Sequence, residues 1–220
     1  MTAGPGRSGR RSPVTAAAVA VLAAGWVVVA GCTGEDPGGD LDLDPPDAAG
    51  LLLTRDEVPG AVAAEDVAKL RVWSVCGPVT RSVSRLDTLA DSAAVREIQV
   101  ETPAGPTTVS VAVYEGMSAT TRQVMIYAGI EQGIELCTRD SPRERGAVRE
   151  SMAPLTGLPE GALGYRSQIT DQGKPEIVES AFAEVNGTVL VVQAHHAGAD
   201  ETGVEILDLL AAAIEKAERA

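Results

Sequence analysis

Hydrophobic and polar positions change period several times along this chain, and each change marks an element. Within residues 107–115, Val109, Val111 and Val113 alternate with Ser110, Ala112 and Tyr114. That period of two predicts a strand with one well-buried face. Residues 94–101 form its hairpin partner across the turn Thr102-Pro103-Ala104-Gly105-Pro106. A second hairpin joins residues 177–185 to 188–194 through Asn186-Gly187, a two-residue turn with both residues at positive φ. The turn accounts for the Asn-Gly pair better than the glycosylation sequon that Thr188 completes. Residues 188–192 are nearly all apolar, which places that strand in the middle of the sheet. Residues 163–170 form another strand, between the turns Leu158-Pro159-Glu160-Gly161 and Asp171-Gln172-Gly173-Lys174.

The helical period appears twice with clarity. Ser118 caps a helix running to about residue 136, with Ile126, Ile130, Ile134 and Cys137 on one narrow stripe. Residues 201–218 form a terminal helix, with Ile206, Leu207, Leu210, Ile214 and Ala217 on one face. Glu201, Glu205, Asp208 and Glu215 lie on the other. Near the start of the domain, Thr54 and Glu57 form a capping box for a short turn that Val58-Pro59-Gly60 stops. Ala63, Val67 and Leu70 line one face of a following helix, residues 71–75 are β-prone, and residues 79–90 fit either period. Residues 138–150 carry Arg139, Asp140, Arg143, Glu144, Arg145, Arg149 and Glu150 and read as a solvated surface loop. The sharper alternative is a rim that docks a polar partner. The fold class expected is α+β, an antiparallel β-sheet with helices packed on it.

Before the domain stands a targeting pattern. Arg7, Arg10 and Arg11 precede a run of 17 residues from Val14 to Ala30, interrupted only by Thr15 and Gly25. The run is short for a spanning helix and ends in small residues. Val29-Ala30-Gly31-Cys32 resembles a bacterial lipobox, with Val29 where Leu is usual. Residues 1–31 are therefore expected to be a lipoprotein signal peptide, with Cys32 the lipidated first residue of the mature chain. Two acyl chains would anchor it stably in the cell membrane, on the extracytoplasmic face. An uncleaved anchor helix with a chance cysteine is the alternative, and the export route stays open between the general and twin-arginine systems. Residues 32–50 read as an acidic, Pro- and Gly-rich tether with too little apolar surface to fold. Its coil-like reach is about 20 Å.

Removing residues 1–31 takes three basic residues and no acid, which turns a net charge of −13 into −16. Such a chain is repelled by phosphate backbones, so nucleic acid is not an expected partner. Three lysines against fifteen arginines, with much Ala, Val and Gly, suggest a GC-rich, actinobacterial genome. With Cys32 assigned to lipid, Cys76 and Cys137 remain. In an exported protein such a pair is most simply a disulfide, the alternative being two free buried thiols.

Residues for catalysis are missing. There is no phosphate-binding glycine loop, nucleophile elbow or His-Glu-x-x-His pattern. His195 and His196 are the only histidines, and neighbours on a strand point to opposite faces, so they do not share a metal there. They could instead lie in the loop after the strand. No enzyme activity, cofactor or metal is expected.

Several features together resemble one family, the extracellular sensor domain of mycobacterial receptor serine/threonine kinases (the PknH-like domain), also found in stand-alone actinobacterial lipoproteins. They are Leu51-Leu52-Leu53-Thr54-Arg55-Asp56-Glu57-Val58-Pro59, Cys76, the helix ending at Cys137, Leu158-Pro159 with Gly164, the Asn186-Gly187 hairpin and the C-terminal helix. The resemblance spans about residues 50–218, and the sensor-type domain is taken as residues 51–220. It implies an antiparallel sheet with packed helices and a cleft that binds a small ligand of unidentified nature. The chain departs from the kinase sensor in having two domain cysteines where that domain has two disulfides. It has no kinase segment, so signalling would need a partner. The expected function is a lipid-anchored, sensor-like ligand-binding domain. The alternative is a structural or protein-partner envelope lipoprotein; a lipid carrier would need a large apolar cavity.

Overall fold

The computed structural model describes residues 47–198 and 201–220, so the lipobox, Cys32 and most of the acidic tether lie outside the described residues. The elements are α1 (Ala48–Leu51), a 3-10 turn (Arg55–Glu57), β1 (Ala61–Val67), α2 (Gly77–Leu89), β2 (Ser92–Thr102) and β3 (Gly105–Glu115). A composite helix follows: α3 (Ala119–Arg122), a π-helical segment (Gln123–Glu131) and α4 (Gln132–Arg139). Then come β4 (Arg143–Arg145), β5 (Val148–Pro154), β6 (Leu163–Asp171), β7 (Lys174–Val185), β8 (Thr188–His196) and α5 (Ile206–Glu218). All eight strands form one antiparallel sheet in the order β1-β2-β3-β8-β7-β6-β5-β4.

The expected α+β sheet with packed helices and one disulfide is what the chain forms. β8 sits between β3 and β7, and Val189 to Val192 are at most 1% exposed. Asn186 and Gly187 take φ of 49° and 87°, the turn that matches the twist of the flanking strands. Because strand side chains alternate, the sheet carries a core on each face. Val109, Val111, Val113, Leu190 and Val192 face α1 and α5. Ala112, Tyr114, Val189, Val191 and Phe182 face α2 and the composite helix. Burying a residue such as Leu210 fully contributes about 1.5–3 kcal/mol.

On the first face, Lys216 of α5 donates to the Leu52 carbonyl and to Glu57, both at 2.8 Å. Glu57 also accepts from the Thr54 backbone N–H at 2.6 Å, the reciprocal half of the expected capping box. Partial burial opposes its charge, but the Lys216 ammonium and the Thr54 donors outweigh it and hold its pKa at about 2.

The second face is closed covalently. Cys76 caps α2, Cys137 lies in α4, and they form a disulfide with Cα atoms 6.0 Å apart. The helices cross closely because of a glycine. A Cβ on Gly133 would stand 2.9 Å from Val79 Cγ2 and 3.1 Å from the Val79 nitrogen.

Several expectations are corrected. Residues 61–67 are strand β1, not a helix. Ala63 pairs with Gln99 and Val67 with Val95, and pairing with β2 satisfies their backbone where no apolar helix face was available to bury. Residues 71–75 are extended but join no sheet. Ambiguous residues 79–90 are helical, started by Pro78. Residues 138–150 are not a loop throughout, because β4 and β5 form an edge hairpin and Glu150 is only 1% exposed. The composite helix continues to Arg139. α5 begins at Ile206, and its buried face is Ile206, Leu209, Leu210, Ala213 and Ala217. Leu207 and Ile214 pack only partly, since the stripe is rotated towards the small Ala213 that sits against the sheet.

Gly133→Ala should lower stability by a net of about 1–2 kcal/mol, because overpacking against Val79 exceeds the gain in helix propensity. Urea unfolding would show a lower midpoint at an unchanged slope. A raised midpoint would refute the close crossing.

Candidate functional site

Two features of the second face stand out. The first is a groove of about 480 Å³ between the composite helix and the β5–β6 connection. Ile134 and Thr138 contribute from α4, and Leu155, Leu158, Ala162 and Leu163 form the facing wall. The wall depends on Gly164. A Cβ there would meet the Ser180 carbonyl at 2.9 Å and the Leu155 and Leu158 methyls at 3.0 and 3.1 Å. Without one, the two leucines fold over β6 and present apolar surface to the groove. Polar groups are few: Glu131, Glu135 and Arg139 on the helix, with Arg139 donating to Glu135 at 2.5 Å, and Thr138. The Thr138 Oγ1 is buried and has no hydrogen-bond partner among the described residues. An apolar concavity of this size with a few convergent polar groups is the usual form of a small-molecule site.

The second feature is the strap between β1 and α2. The strap runs from Val67, paired in β1, to Val75, whose N–H reaches Glu150 of β5, with bends at Ala68, Lys69 and Val75 and no helix or strand of its own. Leu70 points into the core. On the alternate side, the Arg71 guanidinium lies 3.5 Å from the Trp73 ring centroid, and Trp73 stacks on His195 at 3.8 Å with 6° between planes. His195 Nε2 is 3.2 Å from Glu176. The strap's far end is fastened by Glu150, which accepts from Ser74 Oγ at 2.9 Å, Val75 N–H at 3.0 Å and Ser167 Oγ at 2.7 Å.

His195 and His196 both end β8 and lie on opposite faces, as strand alternation requires. His196 is buried on the other side beside Thr107 and the Pro106 carbonyl. Among the described residues no cluster of three or more His, Cys, Asp or Glu is placed to hold a metal. The resemblance implied a cleft, but neither the residues of this groove nor the strap were read from the sequence. Apolar Leu155 and Leu158 inside a turn-rich connection were the available signal for the groove; the strap left none but Trp73.

No protein-family model and no curated protein matches the sequence. A solved structure, the extracellular domain of PknH from Mycobacterium tuberculosis, is similar at a TM-score of 0.50 and 15% identity. The match covers 77% of this chain and 94% of that one. At that identity the likeness is one of fold.

Glu150→Ala should cost about 3 kcal/mol by leaving three donors unpaired. It should also shift Trp73 emission to the red as the strap loosens. Unchanged emission with unchanged urea stability would refute the fastening.

Stability should also fall on acidification through His195. Burial lowers its pKa below the ordinary 6.5, with Arg71 and His196 adding and Glu176 opposing. Below 6.5 the unfolded chain then binds more protons than the folded one, so stability declines as pH drops through that value and levels off below the folded pKa. Urea midpoints measured across the window should slope less in His195→Phe, which stacks without titrating. An equal slope in the variant would count against this origin.

Proposed function

We propose that this protein is an extracytoplasmic domain, lipid-anchored through Cys32, that binds a small ligand in the groove between α4 and the β5–β6 connection. The observation that carries the reading is the groove itself, with its leucine wall and the unpartnered Thr138 hydroxyl. The fold likeness to an extracellular domain supports the location. The disulfide fits an oxidising compartment. No helix among the described residues is long and apolar enough to cross a membrane, and an N-terminal lipid would supply the attachment. Glu65, Asp66 and Glu97 near the β1 edge, with a net charge of −13, disfavour nucleic acid and leave small ligands and envelope proteins as partners.

The protein-partner reading has one observation in its favour. Arg145 and Arg149 stand exposed on the β4–β5 edge hairpin of an otherwise acidic chain.

Ala162→Trp, which fills the groove from its wall, tests the proposal. The full chain should bind Nile red, a neutral apolar dye, and the variant should bind it at least about tenfold more weakly, a loss of about 1.4 kcal/mol. Equal binding by both, with the variant folded by circular dichroism, would move the weight to the protein-partner reading.

A further inference from the structure

The geometry points to a specific class of occupant for the groove: a single-chain amphipath from the membrane surface whose head is uncharged or cationic. This inference rests on the groove as the ligand site and on Cys32 as the anchor.

Size limits the tail. A methylene takes roughly the ~30 Å³ share of a water molecule, so 480 Å³ holds about sixteen such groups. That is room for one hydrocarbon chain. The leucine, isoleucine and alanine walls suit a hydrocarbon.

Charge limits the head. Arg139 is neutralised by Glu135, with N to O at 2.5 Å. Glu131 makes no ion pair among the described residues and is exposed at the same rim. The rim therefore carries one acid in excess of Arg139, so a carboxylate or phosphate head meets net repulsion there and a cationic head net attraction. A cationic head has a partner in Glu131, and an uncharged head is not repelled by it.

Topology limits the source. β5 leaves the sheet at Pro154 and β6 returns at Leu163, next to Phe182 of β7. This is the same end at which β3 finishes at Glu115 beside Ser92. Asp47 caps α1 at that end, close enough to Glu115 for its charge to raise the Glu115 pKa. The chain thus enters the domain at the groove's end of the sheet. Fourteen residues lie between Cys32 and Asp47, so a chain lipidated at Cys32 would meet the domain at the groove's end.

The test uses the full-length protein and three probes with the same twelve-carbon tail, below their micelle concentrations: dodecyltrimethylammonium, dodecyl maltoside and laurate. Calorimetric titration should show the first two binding and laurate binding at least about tenfold more weakly. Glu131→Lys should reverse the order of the two charged probes. Laurate binding as tightly as the ammonium probe, or Glu131→Lys shifting all three alike, would overturn the inference. If Nile red binds the wild type and is lost in Ala162→Trp while no amphipath binds, the groove reading stands and this one falls. If Ala162→Trp changes neither dye nor amphipath binding, both fall.

Discussion

The bond between Cys76 and Cys137 holds the second face of the sheet together. It joins the start of α2 to α4 across 61 residues of chain. Closing a loop of that length removes entropy from the unfolded chain worth about 4 kcal/mol in the chain-entropy model. Its structural consequence reaches further. Cys76 is also where the strap ends, so the bond fixes the strap, α2 and the composite helix at one point. Gly133 lies one turn from Cys137 and lets α4 meet Val79 closely enough for the sulfurs to join. Glu150, three hydrogen bonds deep under the same strap, ties that point to β5. The groove opens beside this assembly, with one wall made by a covalently held helix and the other by a loop that only packs.

The two faces of the sheet are thus secured differently. α5 and α1 cover the first by apolar packing, with Lys216 linking the last helix to Leu52 and Glu57 near the start of the domain. The second face mixes apolar core with a row of polar groups that the strap must cover. Gln193 donates to Ser180 at 2.8 Å, and its own Oε1 is buried without a partner among the described residues. The strap adds its own polar contacts to this face, with Trp73 stacked on His195 and the Ser74 hydroxyl donating to Glu150.

Elements with a regular local period or a tight turn were legible in the sequence, although β3, expected to bury one face, is buried on both, with Ala112 and Tyr114 as enclosed as Val111. Strands β2 and β3, the Asn186-Gly187 hairpin and the Ile126, Ile130, Ile134 stripe each show a single clean period, and each formed. The π-helical stretch explains why a spacing of four persists down that stripe: its wider turn offsets the drift an α-helix would show. Residues whose partners are distant in sequence were not legible. β1 is an exposed edge strand with no apolar face of its own, so Ala63, Val67 and Leu70 mimicked a helix by chance. Glu150 looked like one more surface charge because its donors, Ser74, Val75 and Ser167, stand 17 to 76 positions away. The groove was hidden for the same reason. Its two walls come from residues 131–139 and 154–164, and only the fold brings them together.

Fold likeness and ligand identity separate at this point. At 15% identity, what two such domains share is the arrangement of strands and helices that a pattern of apolar positions can specify. The groove is written in other positions. Leu155, Leu158 and Ala162 lie in a connection that the sheet does not constrain, and Glu131 and Thr138 are on the helix flank that the core does not need. Leu155, Leu158 and Ala162 also pack against the first-face core, so the freest positions are on the helix rim, where Glu131 is exposed and can change the charge of what fits. Function therefore lives in a site placed on the fold and not in the fold. For this chain, the head preference proposed above rests on Glu131, a position that the shared arrangement of strands and helices does not specify.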